Sequence, residues 1–208
     1  MLRRRRHFYH VAFRQDAAIM NTTFPQVWLG RWNHFRETET KYTWDDEVLR
    51  MLKGDDNQFL VSWKNVSEVY FSLHVEKVAH WIAIEVSIPT WCINIYDSNH
   101  SVLSPNLMEE AIKPWCLLLP SLLWCSGMFD DHDDLQVYPE QNAKPFSCCR
   151  IPPEECPQTK TSGDCGMFAI KHIEHLVVRL PLDTVIDENI QHFRTKWYVD
   201  LFYQNLSL

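Results

Sequence analysis

Along the chain the spacing of apolar residues changes period twice, and each change marks a different kind of element. From residue 14 to about 36, Ile19, Met20, Phe24, Val27, Trp28, Trp32 and Phe35 recur at mixed helical spacing. Thr22 and Thr23 stand ahead of Pro25 as capping residues, so the spacing predicts one or two short helices. Thr43, Trp44, Asp45, Asp46 and Glu47 then precede Val48, Leu49, Met51 and Leu52. Acids there suit the positive end of a helix dipole, and Gly54 is the expected stop. Between residues 66 and 96 the period drops to two. Val66 to His74 and Trp81 to Ile88 alternate, with Ile82, Ile84, Val86 and Ile88 on one face. Pro89 and Thr90 interrupt, and Trp91 to Tyr96 resume the alternation, which predicts a hairpin ending at Asp97.

Beyond the hairpin the helical period returns. Ser104 and Pro105 open a helix with Leu107, Met108, Ala111 and Ile112 as its buried stripe. Pro114 is expected to kink or end it, with a second short helix through Leu117 to Leu123. Residues 126 to 144 read as an exposed connection, and a short strand is expected from Phe146 to Ile151. After Gly163, the positions Met167, Phe168, Ile170, Ile173, Leu176 and Val177 predict a well-buried helix stopped by Pro181. A last helix is expected from Asp183, with Ile186, Ile190, Phe193, Trp197 and Leu201 on one stripe. Elements in segregated blocks point to an α+β fold, a central, mainly antiparallel sheet packed by helices.

Composition narrows the classes further. A chain of 208 residues with 46% hydrophobic and 13% aromatic content can bury a sizeable core and is expected to form one domain. A net charge of -7 gives no electrostatic case for binding nucleic acid. Arg3, Arg4, Arg5 and Arg6 form the one strongly basic run, read as a solvated helix end or fraying tail in preference to a nuclear address or a phosphate-binding patch. His7 to Phe13 is too short and polar for a signal-peptide core, and no long apolar run follows. A soluble protein of the nucleus or cytoplasm is expected, with no membrane partner. Seven cysteines, an odd number, suit a reducing compartment better than a disulfide framework. Asp130, Asp131, His132, Asp133 and Asp134 lack the ligand spacing and central glycine of a calcium loop.

Candidate chemistry centres on Ser162, Gly163, Asp164, Cys165, Gly166 and Met167, which place a cysteine in the first turn of a predicted buried helix. Unpaired N–H groups and the helix dipole favour a thiolate there, and Gly166 leaves room beside the sulfur. A small, buried, inert cysteine fits this segment equally well. A thiolate nucleophile needs a base and a group that fixes the base's tautomer. His80, ahead of one hairpin strand, and Asp97, at the end of the other, are the candidates. Taken separately, a surface imidazole and a strand-end turn former account for them as well.

The combination decides between these readings. His80-Trp81, Tyr96-Asp97-Ser98, Pro157-Gln158 and Gly163-Asp164-Cys165-Gly166, in that order and at those separations, resemble the ubiquitin-like-protein proteases, the SUMO-protease group related to the adenovirus protease. The likeness is greatest to the plant, transposon-associated branch, in which the cysteine motif is followed by a helix such as Lys171-His172-Ile173-Glu174. It covers residues 58 to 180 well and the N-terminal third more loosely.

That resemblance implies a papain-like-clan cysteine peptidase fold of the adenovirus-protease type, with residues 1–57 an N-terminal helical part of the same domain and 58–208 the catalytic core. It implies Cys165 as nucleophile, His80 as general base, Asp97 as the acid that orients the imidazole, and Gln158 as oxyanion donor beside the Cys165 N–H. Trp81 matches the tryptophan that roofs a narrow tunnel for a Gly-Gly tail. One departure touches Gln158: many members place the donor six residues before the cysteine, where this chain has Thr159. The implied reaction is hydrolysis of a peptide or isopeptide bond after the C-terminal glycine of a ubiquitin-like modifier through a thioester, with no metal or organic cofactor. SUMO-like modifiers are favoured over NEDD8, ubiquitin or a transposon polyprotein, and a monomer is expected. Two rivals remain: a modifier-binding protein of the same fold that no longer cuts, and a zinc-organised module using Cys148, Cys149, Cys156, Cys165, His172 and His175.

Overall fold

The computed structural model describes residues 1–38, 44–55, 59–125, 144–161 and 163–206. The expected helix-start residue Thr43, the acidic run Asp130 to Asp134, most of the expected 126 to 144 connection, and Ser162 lie outside the described residues. The helices are α1 (Leu2–Phe8), α2 (Thr23–Thr38), α3 (Asp46–Lys53), α4 (Pro105–Cys125), α5 (Cys165–Val177) and α6 (Asp187–Leu206). The strands are β1 (Ala17–Ile19), β2 (Glu68–Val75), β3 (His80–Ser87), β4 (Cys92–Tyr96) and β5 (Ser147–Arg150).

These strands form one sheet in the order β1-β2-β3-β4-β5. The expected hairpin is its centre: β3 pairs antiparallel with both β2 and β4, in registers that set Val75 opposite His80 and Ala83 opposite Tyr96. The outer strands β1 and β5 each pair in parallel, so the sheet is mixed, antiparallel within and parallel at its edges.

Alternation along the strands sorts side chains to two cores. Phe71, Ile82, Ile84, Val86, Ile93 and Ile95 face a large cluster with Phe24, Trp28 and Trp115 from α2 and α4. The indoles of Trp28 and Trp115 stack there, centroids 4.9 Å apart and 5° from parallel. Tyr70 and Ala83 face the other side, against Ala169, Ile173 and Val177 of α5 and Leu2 of α1. Helices on both faces explain why β3 is buried along most of its length.

Several elements differ from the pattern-based expectation. The first stretch expected as helix begins with β1, because Ala17, Ala18 and Ile19 pair with Glu68, Val69 and Tyr70. The Arg3 to Arg6 run is no fraying tail. Arg5 bonds Glu174 at 2.5 Å and also Asp200, Arg6 donates to the Gln15 carbonyl at 2.8 Å, and Leu2 is buried. Helix α4 runs unbroken for 21 residues through Pro114 and Pro120. Proline deprives the carbonyl four residues earlier of its helical donor. For Pro120 that carbonyl is Cys116, and the Phe146 N–H satisfies it at 3.0 Å. Burial of Trp115, Leu118, Leu119, Leu122 and Leu123 then holds the helix together. Helix α5 stops at Val177, ahead of Pro181, and α6 starts at Asp187, with Leu201 exposed. Helix α3 starts with Asp45 capping the Val48 N–H at 3.2 Å and stops at Gly54, φ 87°, as its sequence predicts.

Candidate active site

His80 is the first residue of β3, delivered by a turn in which Ala79 takes the left-handed conformation, φ 49°. Asp97 follows β4 and forms a local turn, its Oδ1 accepting the Asn99 N–H at 2.8 Å. Antiparallel pairing carries the two ends together, and His80 Nε2 lies 2.7 Å from the same Oδ1. Both are buried, His80 3% and Asp97 0% exposed, so the bond forms out of competition with water. Asp97 Oδ2 pairs with Arg150 Nη2 at the end of β5, where the parallel register sets Ile95 opposite Arg150. Burial pushes the Asp97 carboxyl up. The His80 and Asn99 hydrogen bonds and the charges of His80 and Arg150 more than offset it, and the carboxyl is held below its ordinary range.

Cys165 opens α5, where backbone N–H groups have no intrahelical acceptor. The turn ahead of it is built around Gly163, φ 88°, a conformation that favours glycine. Arg194 secures that turn, donating through Nη2 to the Gly163 carbonyl at 3.1 Å and through Nε to Asp164 Oδ1 at 3.1 Å. Helix α5 packs on β3. A Cβ built on Gly166 would stand 3.5 Å from Trp81 Cδ1, so the cysteine turn closes against the tryptophan next to His80. The Trp81 indole is itself backed by His74, centroids 4.7 Å apart. The structure thus gathers the histidine, carboxylate, cysteine turn and tryptophan expected from sequence around one end of β3.

Gln158 sits elsewhere in the arrangement. Its amide nitrogen donates to the carbonyls of Asp97 and Cys156, each at 2.8 Å, and its oxygen accepts the His100 N–H at 3.0 Å. Both donors are engaged with backbone, so an oxyanion role requires one of these bonds to be exchanged. Thr159, at the alternative spacing, donates to Asp187 at 2.5 Å. Arg150 was not among the residues the sequence singled out. Only its place, ending a strand ahead of Pro152 and Pro153, could have pointed to it.

Contrast with Cys156 shows what the Cys165 position offers. Cys156 is fully buried, bonds the Asp97 carbonyl through sulfur at 3.5 Å, and is pushed up to about 12, by burial first and then by the nearby Asp97 charge. It is an inert thiol. The zinc reading fares poorly: Cys148 and Cys149 are exposed on β5, His175 Nδ1 bonds the Pro181 carbonyl at 2.7 Å, and no metal-holding group of His, Cys, Asp or Glu occurs among the described residues.

A family model described as the Ulp1 protease family, C-terminal catalytic domain, matches residues 1–207. The chain belongs to the Ulp1 protease family. Solved structures agree on the fold. The C-terminal protease domain of Ulp1 in complex with Smt3, the yeast ortholog of SUMO, is 15% identical with a TM-score of 0.51, over 89% of this chain and 67% of that one. The SUMO protease Ulp1 with its catalytic cysteine oxidised to a sulfonic acid is 16% identical with a TM-score of 0.50, over 86% and 66%. The sulfinic acid form of Ulp1 gives 15% and 0.52, over 90% and 68%. The chain therefore spans about two thirds of the length of these Ulp1 structures. No curated protein sequence matches it. Among the described residues no helix of this Ulp1-family chain is long and apolar enough to cross a membrane.

Proposed function

We propose that the chain is a cysteine peptidase that hydrolyses the peptide or isopeptide bond after the C-terminal glycine of a ubiquitin-like modifier. The observation that carries this reading is the buried His80–Asp97 bond at 2.7 Å, set beside a helix that begins with Cys165. Asp97 engages Nε2 of the imidazole, which leaves Nδ1 to take the thiol proton. The thiolate attacks the glycine carbonyl, His80 protonates the departing amine, and water deprotonated by His80 resolves the thioester. The N–H of Cys165, at the first position of α5, faces the developing oxyanion, joined by Gln158 when one of its backbone bonds is exchanged. Trp81 and Gly166 wall a passage suited to residues without side chains.

A SUMO-like modifier is the favoured substrate, supported by family membership and by the Smt3 complex of the Ulp1 domain. Residues 1–57 act as part of the catalytic domain, supported by the β1–β2 pairing and by Phe24 and Trp28 in the main core. A second reading, modifier binding without cleavage, is favoured by one observation, the engagement of both Gln158 donors. Covalent labelling with C-terminally electrophilic SUMO, NEDD8 and ubiquitin probes separates the two. The peptidase forms an adduct with at least one probe, lost in Cys165→Ala and strongly slowed in His80→Ala. Non-covalent probe binding without any adduct installs the second reading, and neither adduct nor binding removes the modifier claim.

A further inference from the structure

Asp97 is held at both carboxylate oxygens and at its carbonyl. Oδ1 is shared by His80 Nε2 at 2.7 Å and the Asn99 N–H at 2.8 Å. Its carbonyl receives Gln158 Nε2 at 2.8 Å and Cys156 Sγ at 3.5 Å. The remaining atom, Oδ2, is met by Arg150. The Arg150 side chain is 13% exposed and its Nε is buried without a partner, so a guanidinium has been drawn out of water at this point with Asp97 as its counter-ion. Parallel pairing of β5 with β4 fixes the approach, since Arg150 stands in register with Ile95, two residues before Asp97.

We propose that Arg150 is a positioning residue for the Cys165–His80–Asp97 set, gripping the outer oxygen of Asp97 so that the carboxylate stays charged and aimed at the imidazole. The inference rests on the peptidase reading of those three residues. The titratable and charged groups that face Asp97 are His80 from β3, Arg150 from β5, His100 from the loop after β4, Cys156 from the segment before α5, and His172 from α5. Only Arg150 carries a permanent charge. Without it Oδ2 is a buried carboxylate oxygen with no partner, and the carboxyl keeps only the His80 and Asn99 bonds at Oδ1 to oppose burial, which favours the protonated form. A neutral Asp97 stabilises the imidazolium less, and the thiolate–imidazolium pair then forms only at higher pH.

The test needs no modifier. The rate of Cys165 alkylation by iodoacetamide is followed against pH in the full chain, by mass spectrometry of the Cys165 peptide so that exposed Cys148 and Cys149 do not interfere. The natural protein supplies the reference profile. Arg150→Gln displaces the acid limb upward by about one pH unit, a roughly tenfold slower alkylation on that limb. Arg150→Lys keeps the charge without the planar fork, and displaces the limb by less in the same direction. An undisplaced limb in the folded variants, whether or not melting temperature falls, makes Arg150 a merely structural residue and overturns the inference alone. Should Arg150→Gln fail to fold, Arg150→Lys decides, an unmoved limb overturning the inference. If His80→Ala leaves the Cys165 alkylation profile of the natural protein unmoved, the peptidase reading of the three residues falls first and the inference with it.

Discussion

His172 provides a quantitative handle on the packing behind the site. It lies in α5 with 0% exposure, its ring 5.9 Å from Phe168 and 6.2 Å from Tyr96 between centroids. Neither ring nitrogen has a hydrogen-bond partner. Burial, reinforced by nearby His175 and only partly opposed by Asp97, lowers its pKa from 6.5 to about 3. The unfolded chain takes up a proton on His172 as pH falls through 6.5, whereas the native protein does not until about 3. Stability is therefore complete above the upper value and is lost progressively down to the lower. At about pH 5 the loss is about 2 kcal/mol, or about 4–8 °C in melting temperature for a chain of this size. His172→Leu removes both the titration and two unpartnered polar atoms, so at neutral pH it folds at least as stably as the natural protein. The measurement is the difference in unfolding free energy between the two proteins, by urea titration, between neutral pH and about pH 5. His100, also lowered by burial, contributes equally to both and cancels. Asp97 and Glu174, held low by their partners, act only further into acid. An acid slope unchanged in His172→Leu refutes the account of a buried neutral imidazole.

Gly166 has no positive φ and a Cβ there meets Trp81 at ordinary contact distance, 3.5 Å. Gly166→Ala therefore melts no lower than the natural protein and gains up to about 1 kcal/mol of helix propensity. On the proposed peptidase reading it nevertheless reacts slowly with modifier probes, because the methyl takes up space beside Trp81; a lowered melting temperature or unimpaired labelling contradicts this. Arg5→Ala breaks the ties of α1 to Glu174 and Asp200, while Lys171 still bonds Glu174 at 2.5 Å. A loss of about 1–3 kcal/mol in unfolding free energy is expected, and an unchanged value returns α1 to the status of a loose tail.

The parts legible in the sequence are those that local periodicity governs. The central hairpin announces itself because Ile82, Ile84, Val86 and Ile88 keep a period of two, and the turn after Ile88 sets the register that unites His80 with Asp97. The helix following Cys165 is equally plain from its apolar spacing. Strand β1 is not, since Ala17–Ile19 is too short for alternation to show and owes its form to β2. The continuity of α4 was hidden because the group satisfying Cys116 comes from Phe146, in a different element. Gln158 and Arg150 share that difficulty. Their roles depend on where a long connection returns to the sheet edge, a tertiary matter on which spacing is silent.

The order of the site's parts along the chain has a consequence during synthesis. Base and carboxylate belong to one antiparallel hairpin, a local structure able to form while the rest of the chain is still on the ribosome. The cysteine, and the strand bearing Arg150, emerge later, and Cys165 is brought to the end of the sheet that holds His80 only when α5 docks on β3. Until that docking, the proposed nucleophile and its proposed base stand apart. On the proposed reading of these residues, proteolytic competence is withheld from the incomplete chain, and a reactive Cys165 reports that α5 has reached the sheet.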